Sequence, residues 1–139
     1  MRKECAARLV DMGTRKQVIT TAEAPRPGGS YSQGVSTGRM LFVAGQIPKD
    51  PATNELVEDD IRVQAERVFE NVRAVLEAGG TGFEHVVQVT VYLGDLGEFA
   101  EMDQAFKRCF PVEPPARTTI GAKLRLGSRI VVDAIAMIP

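Results

Sequence analysis

The stretch RIVVDAIAMI, residues 129–138, limits the fold more than any other part of the chain. It alternates as a β-strand. Ile130, Val132, Ala134, Ala136 and Ile138 form one face; Val131, Asp133, Ile135 and Met137 form the other. Both faces are apolar, with Asp133 the exception, so both need cover. Two helical stretches are available for this, enough for one face of the sheet. The other face is expected to meet a second copy of the chain, and the pattern predicts a homo-oligomer.

The first helix is read from Ile61, Ala65, Val68, Phe69, Val72, Val75 and Leu76, which make one apolar stripe. Asp59 or Asp60 caps its start, and Gly79 and Gly80 end it. Asp95 with Glu98 three residues on has the form of a capping box. The helix it opens carries Phe99, Met102, Phe106, Cys109 and Phe110 on one side, and Pro111 stops it. Strands are predicted at 17–21 (a short edge strand), 39–47, 85–93, 117–124 and 129–138. In the third of these, Val87, Val89, Val91 and Leu93 are expected on one face. RLGS between the last two strands reads as a hairpin turn, with Arg117 and Asp133 on its two arms. Residues 22–30 are a Pro/Gly-rich loop, and PKDPATNELV is a turn-rich connection. The order β-β-α-β-α-β-β, with room for a third early strand, predicts an α+β fold: one sheet with two helices on one face.

A chain of 139 residues suits one domain. Residues 1–16 read as a flexible N-terminal extension and 17–139 as the domain. Met12 is a second candidate start, which would make residues 1–11 an upstream extension. The N-terminus has basic residues but no apolar core of a secretory signal, and no apolar run reaches the ~18 residues of a membrane helix. The formal net charge of −1 argues against nucleic-acid or acidic-membrane partners. Two cysteines, Cys5 and Cys109, with no C-x-x-C, fit a reducing, cytoplasmic setting. Cys109 is expected as a buried thiol acting as a small hydrophobe. His85, the only histidine, has no metal-ligand spacing and reads as structural or surface. There is no phosphate loop, dinucleotide fingerprint or G-x-S-x-G elbow.

Arg117 and Asp133 stand out as chemistry. In PPARTTIGA, residues 114–122, two prolines deliver the chain to Arg117. Its guanidinium is either a surface ion-pair partner or a bidentate clamp for a ligand carboxylate. Asp133 is either a structural carboxylate or a partly desolvated functional one. Tyr31, in GGSYSQG, is a core anchor or a lid over a pocket. Gly45, in AGQIP, serves a turn or the close approach of a ligand to the main chain.

Together these segments resemble the RidA/YjgF family of reactive-intermediate deaminases. The resemblance spans roughly residues 18–138 and is carried by APRPGGSYSQGV (24–35), LFVAGQIPKDPAT (41–53), NVRAVLEAGG (71–80), VVQVTVYLGDL (86–96), PPARTTI (114–120) and DAIAM (133–137). It implies a chorismate-mutase-like α+β fold, a homotrimer with active sites in clefts between subunits, and no cofactor or metal. It also implies hydrolysis of 2-imino acids and their enamine tautomers to 2-keto acids and ammonia. In its terms Arg117 clamps the substrate carboxylate, Asp133 holds and activates the water, and Tyr31 closes the cleft from a neighbouring subunit. Gly45 and Thr119 offer main-chain contacts, and Tyr92 is a wall residue. Three positions depart from the pattern: Asp133 stands where glutamate is usual, Ala44 where serine is common, and Ser30 where proline is usual.

The function expected is therefore a cofactor-free deaminase of 2-imino acids. The alternatives are a metabolite sensor that binds keto acids without turnover and a divergent deaminase of another pathway, such as one for aminomuconate. Ribonuclease activity has the least physical support, given the charge, the few aromatics and the single histidine.

Overall fold

The structure, a computed structural model, describes residues 15–139. Cys5, Met12 and all but the last two residues of the expected extension lie outside the described residues.

Helix α1, Ile61–Ala78, forms where the apolar stripe predicts. Asp60 is its cap: with extended backbone, its Oδ1 accepts from the amides of Arg62 (2.8 Å) and Val63 (3.2 Å). The other end closes in a Schellman turn. The amide of Thr81 donates to the Leu76 carbonyl and that of Gly80 to Glu77, with Gly80 at φ 84°. A side chain at Gly80 would be strained there. Every residue of the stripe is buried.

Helix α2, Phe99–Cys109, follows a 3-10 turn over Leu96–Glu98. Asp95 caps that turn through the Gly97 amide (2.8 Å), but Glu98 does not complete a capping box. Its carboxylate instead pairs with Arg129, 3.0 Å away. Phe106 and Phe110 of this segment meet Phe69 of α1 edge-on, at 6.0 and 6.5 Å between centroids, and close the seam between the helices. Phe99, expected in the stripe, is exposed, and Cys109 is half-buried. Burial pushes the Cys109 thiol up to about 11, so it stays protonated near neutral pH.

The strands are β1 (Lys16–Ile19), β2 (Gly34–Thr37), β3 (Met40–Gln46), β4 (Lys49–Asp50), β5 (Glu55–Leu56), β6 (Val86–Leu93), β7 (Ala116–Gly121) and β8 (Ile130–Met137). β4 and β5 form a small separate ribbon within the turn-rich connection. The others make a six-stranded sheet in the order β1-β2-β3-β8-β6-β7. Both helices pack on one face of it. β1 is an edge strand, as expected. β2 lies beyond the loop at 22–30, in the stretch that leads into the 39–47 strand, where no strand is predicted.

The expected C-terminal hairpin does not form. β6 lies between β7 and β8, parallel to β7 and antiparallel to β8. The linker that reads as a hairpin turn crosses the end of β6 instead. The Ala122 amide donates to the Leu93 carbonyl, and the Gly94 amide donates to the Arg129 carbonyl, each at 2.9 Å. The linker's own turn is a 3-10 segment, Arg125–Gly127, with Leu126 at φ 58°.

Val87 also takes the face opposite to the one the alternation predicts. A bulge at Val87 puts Val86, rather than Val87, on the buried side with Val89, Val91 and Leu93. In β8 the alternation holds: Ile130, Val132, Ala134 and Ala136 are buried against the helices. The opposite face is left without cover from this chain. Val18, Phe42 and Met137 are exposed on it.

Candidate functional site

The loop that carries Tyr31 is held by a buried glutamine. Gln33 Oε1 accepts from the Thr21 amide (2.7 Å), and its Nε2 donates to the carbonyls of Thr21, Ala24 and Pro25. This fixes the Pro/Gly-rich loop against the sheet without regular structure. Tyr31 then folds back on its own loop, where its hydroxyl accepts from the Gly28 amide at 3.0 Å. Its ring stays exposed on the uncovered side.

The next piece is a β-bulge in β3. Val43 pairs with Ala134 and Gln46 with Val132, so Ala44 and Gly45 together oppose Asp133. Gln46, itself buried, donates to the Ala44 carbonyl (3.0 Å) and braces the bulge. Gly45 lies close enough to Val131 that a Cβ would sit 3.1 Å from its Cγ1. The bulge therefore places the half-buried Gly45, with no side chain, beside Asp133. The Tyr92 hydroxyl donates to Asp133 Oδ2 at 3.2 Å. The negative charge of Asp133, with burial and this hydrogen bond, raises the Tyr92 phenol above its ordinary value, so it remains a donor through neutral pH.

Beside the bulge is a cavity of about 300 Å³, lined by Tyr31, Ala44, Gly45, Ile47, Arg125 and Val131. Tyr31, Gly45, Tyr92 and Asp133 thus share the open face of the sheet. Arg117 and Thr119 do not. Arg117 is level with Val89 and Thr119 with Val91, two fully buried residues of the helix-covered face. The Arg117 guanidinium sits 4.5 Å over the Phe106 ring and 5.2 Å from that of Phe99. Its NH1 donates to Asp103 Oδ1 at 2.8 Å. That hydrogen bond holds the Asp103 carboxyl below the ordinary aspartate range, against an opposing push from burial. Arg117 borders its own groove of about 330 Å³, walled by Pro114, Pro115 and Phe110. Within one chain, the sheet stands between Arg117 and Asp133.

The other titratable groups offer less. His85 closes the 3-10 turn before β6 and lies 3.7 Å from the Glu84 carboxylate. No group of three or more His, Cys, Asp or Glu side chains among the described residues could hold a metal ion. No helix among them is long and apolar enough to cross a membrane. Sequence reasoning missed three residues: Gln33 and Gln46, which build the loop and the bulge, and Arg125, which lines the cavity. The recurrence of a glutamine in SQG and in GQI was the available signal for the first two.

A family profile described as endoribonuclease L-PSP matches residues 21–138. The chain belongs to this family, also called RidA/YjgF. Protein DfrA of Myxococcus xanthus is 47% identical over 125 residues, covering 88% of this chain and 95% of that protein. The human 2-iminobutanoate/2-iminopropanoate deaminase is 37% identical over 123 residues, covering 88% of this chain and 90% of that one. The crystal structure of RidA from an Antarctic Psychrobacter superposes with a TM-score of 0.85 at 36% identity, covering 88% of this chain and 99% of that one. Membership of the RidA/YjgF family fits the α+β architecture, with two helices on one face of a mixed sheet.

Proposed function

We propose that the protein hydrolyses 2-imino acids, and their enamine tautomers, to 2-keto acids and ammonia in clefts between copies of the chain. The observation that carries this reading is the placement of Asp133 opposite the Ala44–Gly45 bulge, on an apolar face that no part of this chain covers. Family members named as imine deaminases add support at the level of the family.

The chemistry asks little of the protein. The iminium carbon is already electrophilic. Asp133 orients a water and takes its proton as the new C–O bond forms. Asp133 returns that proton to the amine nitrogen, and the tetrahedral carbon expels ammonia as the hydroxyl gives up its proton to Asp133 and the carbonyl closes. Tyr92 fixes the Asp133 carboxylate, and Tyr31 walls the cavity. The substrate carboxylate needs a cation, and Arg117 is the family's residue for it. Because the sheet separates Arg117 from Asp133 in one chain, both reach one small substrate only if Arg117 comes from a neighbouring copy. A homotrimer whose inner wall is the uncovered face, built from Phe42, Ile135 and Met137, supplies this arrangement and buries those side chains.

The test generates imino acids in situ with amino-acid oxidases and follows the rate at which keto acid appears. The wild type is expected to accelerate the reaction, and Arg117→Ala to lose about 100-fold or more. Unchanged activity in Arg117→Ala would sink the clamp. A wild type with no acceleration across the panel, but with keto-acid binding, would make the protein a sensor.

A further inference from the structure

The open face carries cations besides the Arg117 that the proposed function assigns to the substrate carboxylate. Arg125 lines it, and a small adjoining pocket, which shares Tyr31, Gly45 and Ile47, is also bordered by Arg26 and Lys49. No acidic residue lines either space. Among the described residues none of these three cations has a carboxylate partner. Other cations do: Arg117 has Asp103, Arg129 has Asp59 and Glu98, and Arg73 has Glu70.

Arg125 is also held in place. It begins the turn that crosses the end of β6, with Leu126 in the left-handed region and the Ser128 amide donating to the Arg125 carbonyl at 3.1 Å. Backbone in that region persists where its surroundings over-determine it, and ligand clamps are one such setting. The guanidinium reaches back over the Tyr31 loop, so that a Cβ at Gly28 would lie 3.4 Å from its NH1.

We propose that Arg125 selects substrates with a second anionic group, so that the preferred class is 2-imino dicarboxylic acids rather than the monocarboxylic ones. This rests on the reading of Arg117 as clamp for the first carboxylate. A guanidinium offers a planar fork that matches a carboxylate, and the apolar wall of Ala44, Ile47 and Val131 leaves it the charged group there. The cavity lies beside the acid that the proposed function uses. Val131, on the cavity wall, is two residues along β8 from Asp133, or about 7 Å. A reacting carbon at Asp133 and an anion at Arg125 therefore occupy the same open face, with the cavity between them.

Calorimetric titration of the full chain with 2-oxoglutarate and with 2-oxobutyrate, as product-like probes, tests this. The wild type is expected to bind 2-oxoglutarate about tenfold more tightly. Arg125→Met is expected to bring that ratio to about one. Equal affinities in the wild type, no binding of either probe, or a ratio that survives Arg125→Met would each overturn the proposal. Arg117→Ala separates the two readings. If it leaves 2-oxobutyrate binding intact, the clamp reading fails, and the second-anion site is judged on whether the ratio in the Arg117→Ala background still depends on Arg125.

Discussion

Two arginines lie eight residues apart, Arg117 on β7 and Arg125 in the linker that follows it, and their circumstances are opposite. Arg117 lies on the helix-covered side, 19% exposed, stacked on Phe106 and bonded to Asp103. Arg125 lies on the open side, exposed, beside a cavity with no acid in its wall. The first is already at work within the fold. The second is placed but unpaired. The comparison teaches that a conspicuous motif does not identify the side chain most available to a ligand. In PPARTTI the arginine also stabilises the domain, whereas the arginine in the plain-looking RLGS turn has no stabilising partner to lose.

Three variants can break or sharpen this contrast. Phe106→Ala removes the ring beneath Arg117 and opens the seam between α1 and α2. Denaturant unfolding is expected to show a loss of about 3 kcal/mol. A loss below about 1 kcal/mol would mean that Arg117 does not depend on that platform. Asp103→Asn removes only the ionic part of the Arg117 contact. It is expected to cost about 1 kcal/mol at neutral pH, because the pair is partly exposed. The sign of its pH dependence is fixed. The native Asp103 value is depressed, so its contribution is present above the ordinary aspartate value of about 3.9 and is lost as the pH falls below it. Stability curves of wild type and variant should therefore converge in acid; curves that stay parallel down to pH 2 would remove the charge from the explanation. Arg125→Met is expected to change stability by less than about 0.5 kcal/mol. A larger loss would show that Arg125 belongs to the fold after all.

Much of the fold is legible in the sequence because its signals are local. The stripe from Ile61 to Leu76, the Asp60 cap and the two closing glycines depend only on near neighbours. The alternation of β8 is equally local, and it exposes the lack of cover on one face. Pairing is different. RLGS is compatible with a hairpin, and nothing within it says that β6 will occupy the place between the two strands. Leu126 adds to this, since leucine gives no sign of a left-handed turn. β2 is hard to read because Gly34 and Ser36 are weak strand formers, held here by partners on both sides. The bulge at Val87 shifted one face, since a single extra residue is invisible to a count of alternation. The site suffered from the same nonlocal choice. The residue types were legible, but which of them share a face depends on register, and register put Arg117 and Asp133 apart.

The crossing linker has one more consequence. It is pinned at both ends, by Ala122 on Leu93 and by Arg129 on Gly94. The strands on either side therefore keep their pairing whatever lies between the pins. A substitution, or a change of one residue in length, within residues 123–128 would re-aim the side chain over the cavity while leaving Asp133, Tyr92 and the bulge where they are. In evolutionary terms this segment is an interchangeable part: its side chains can change while the sheet beneath the cavity keeps its register.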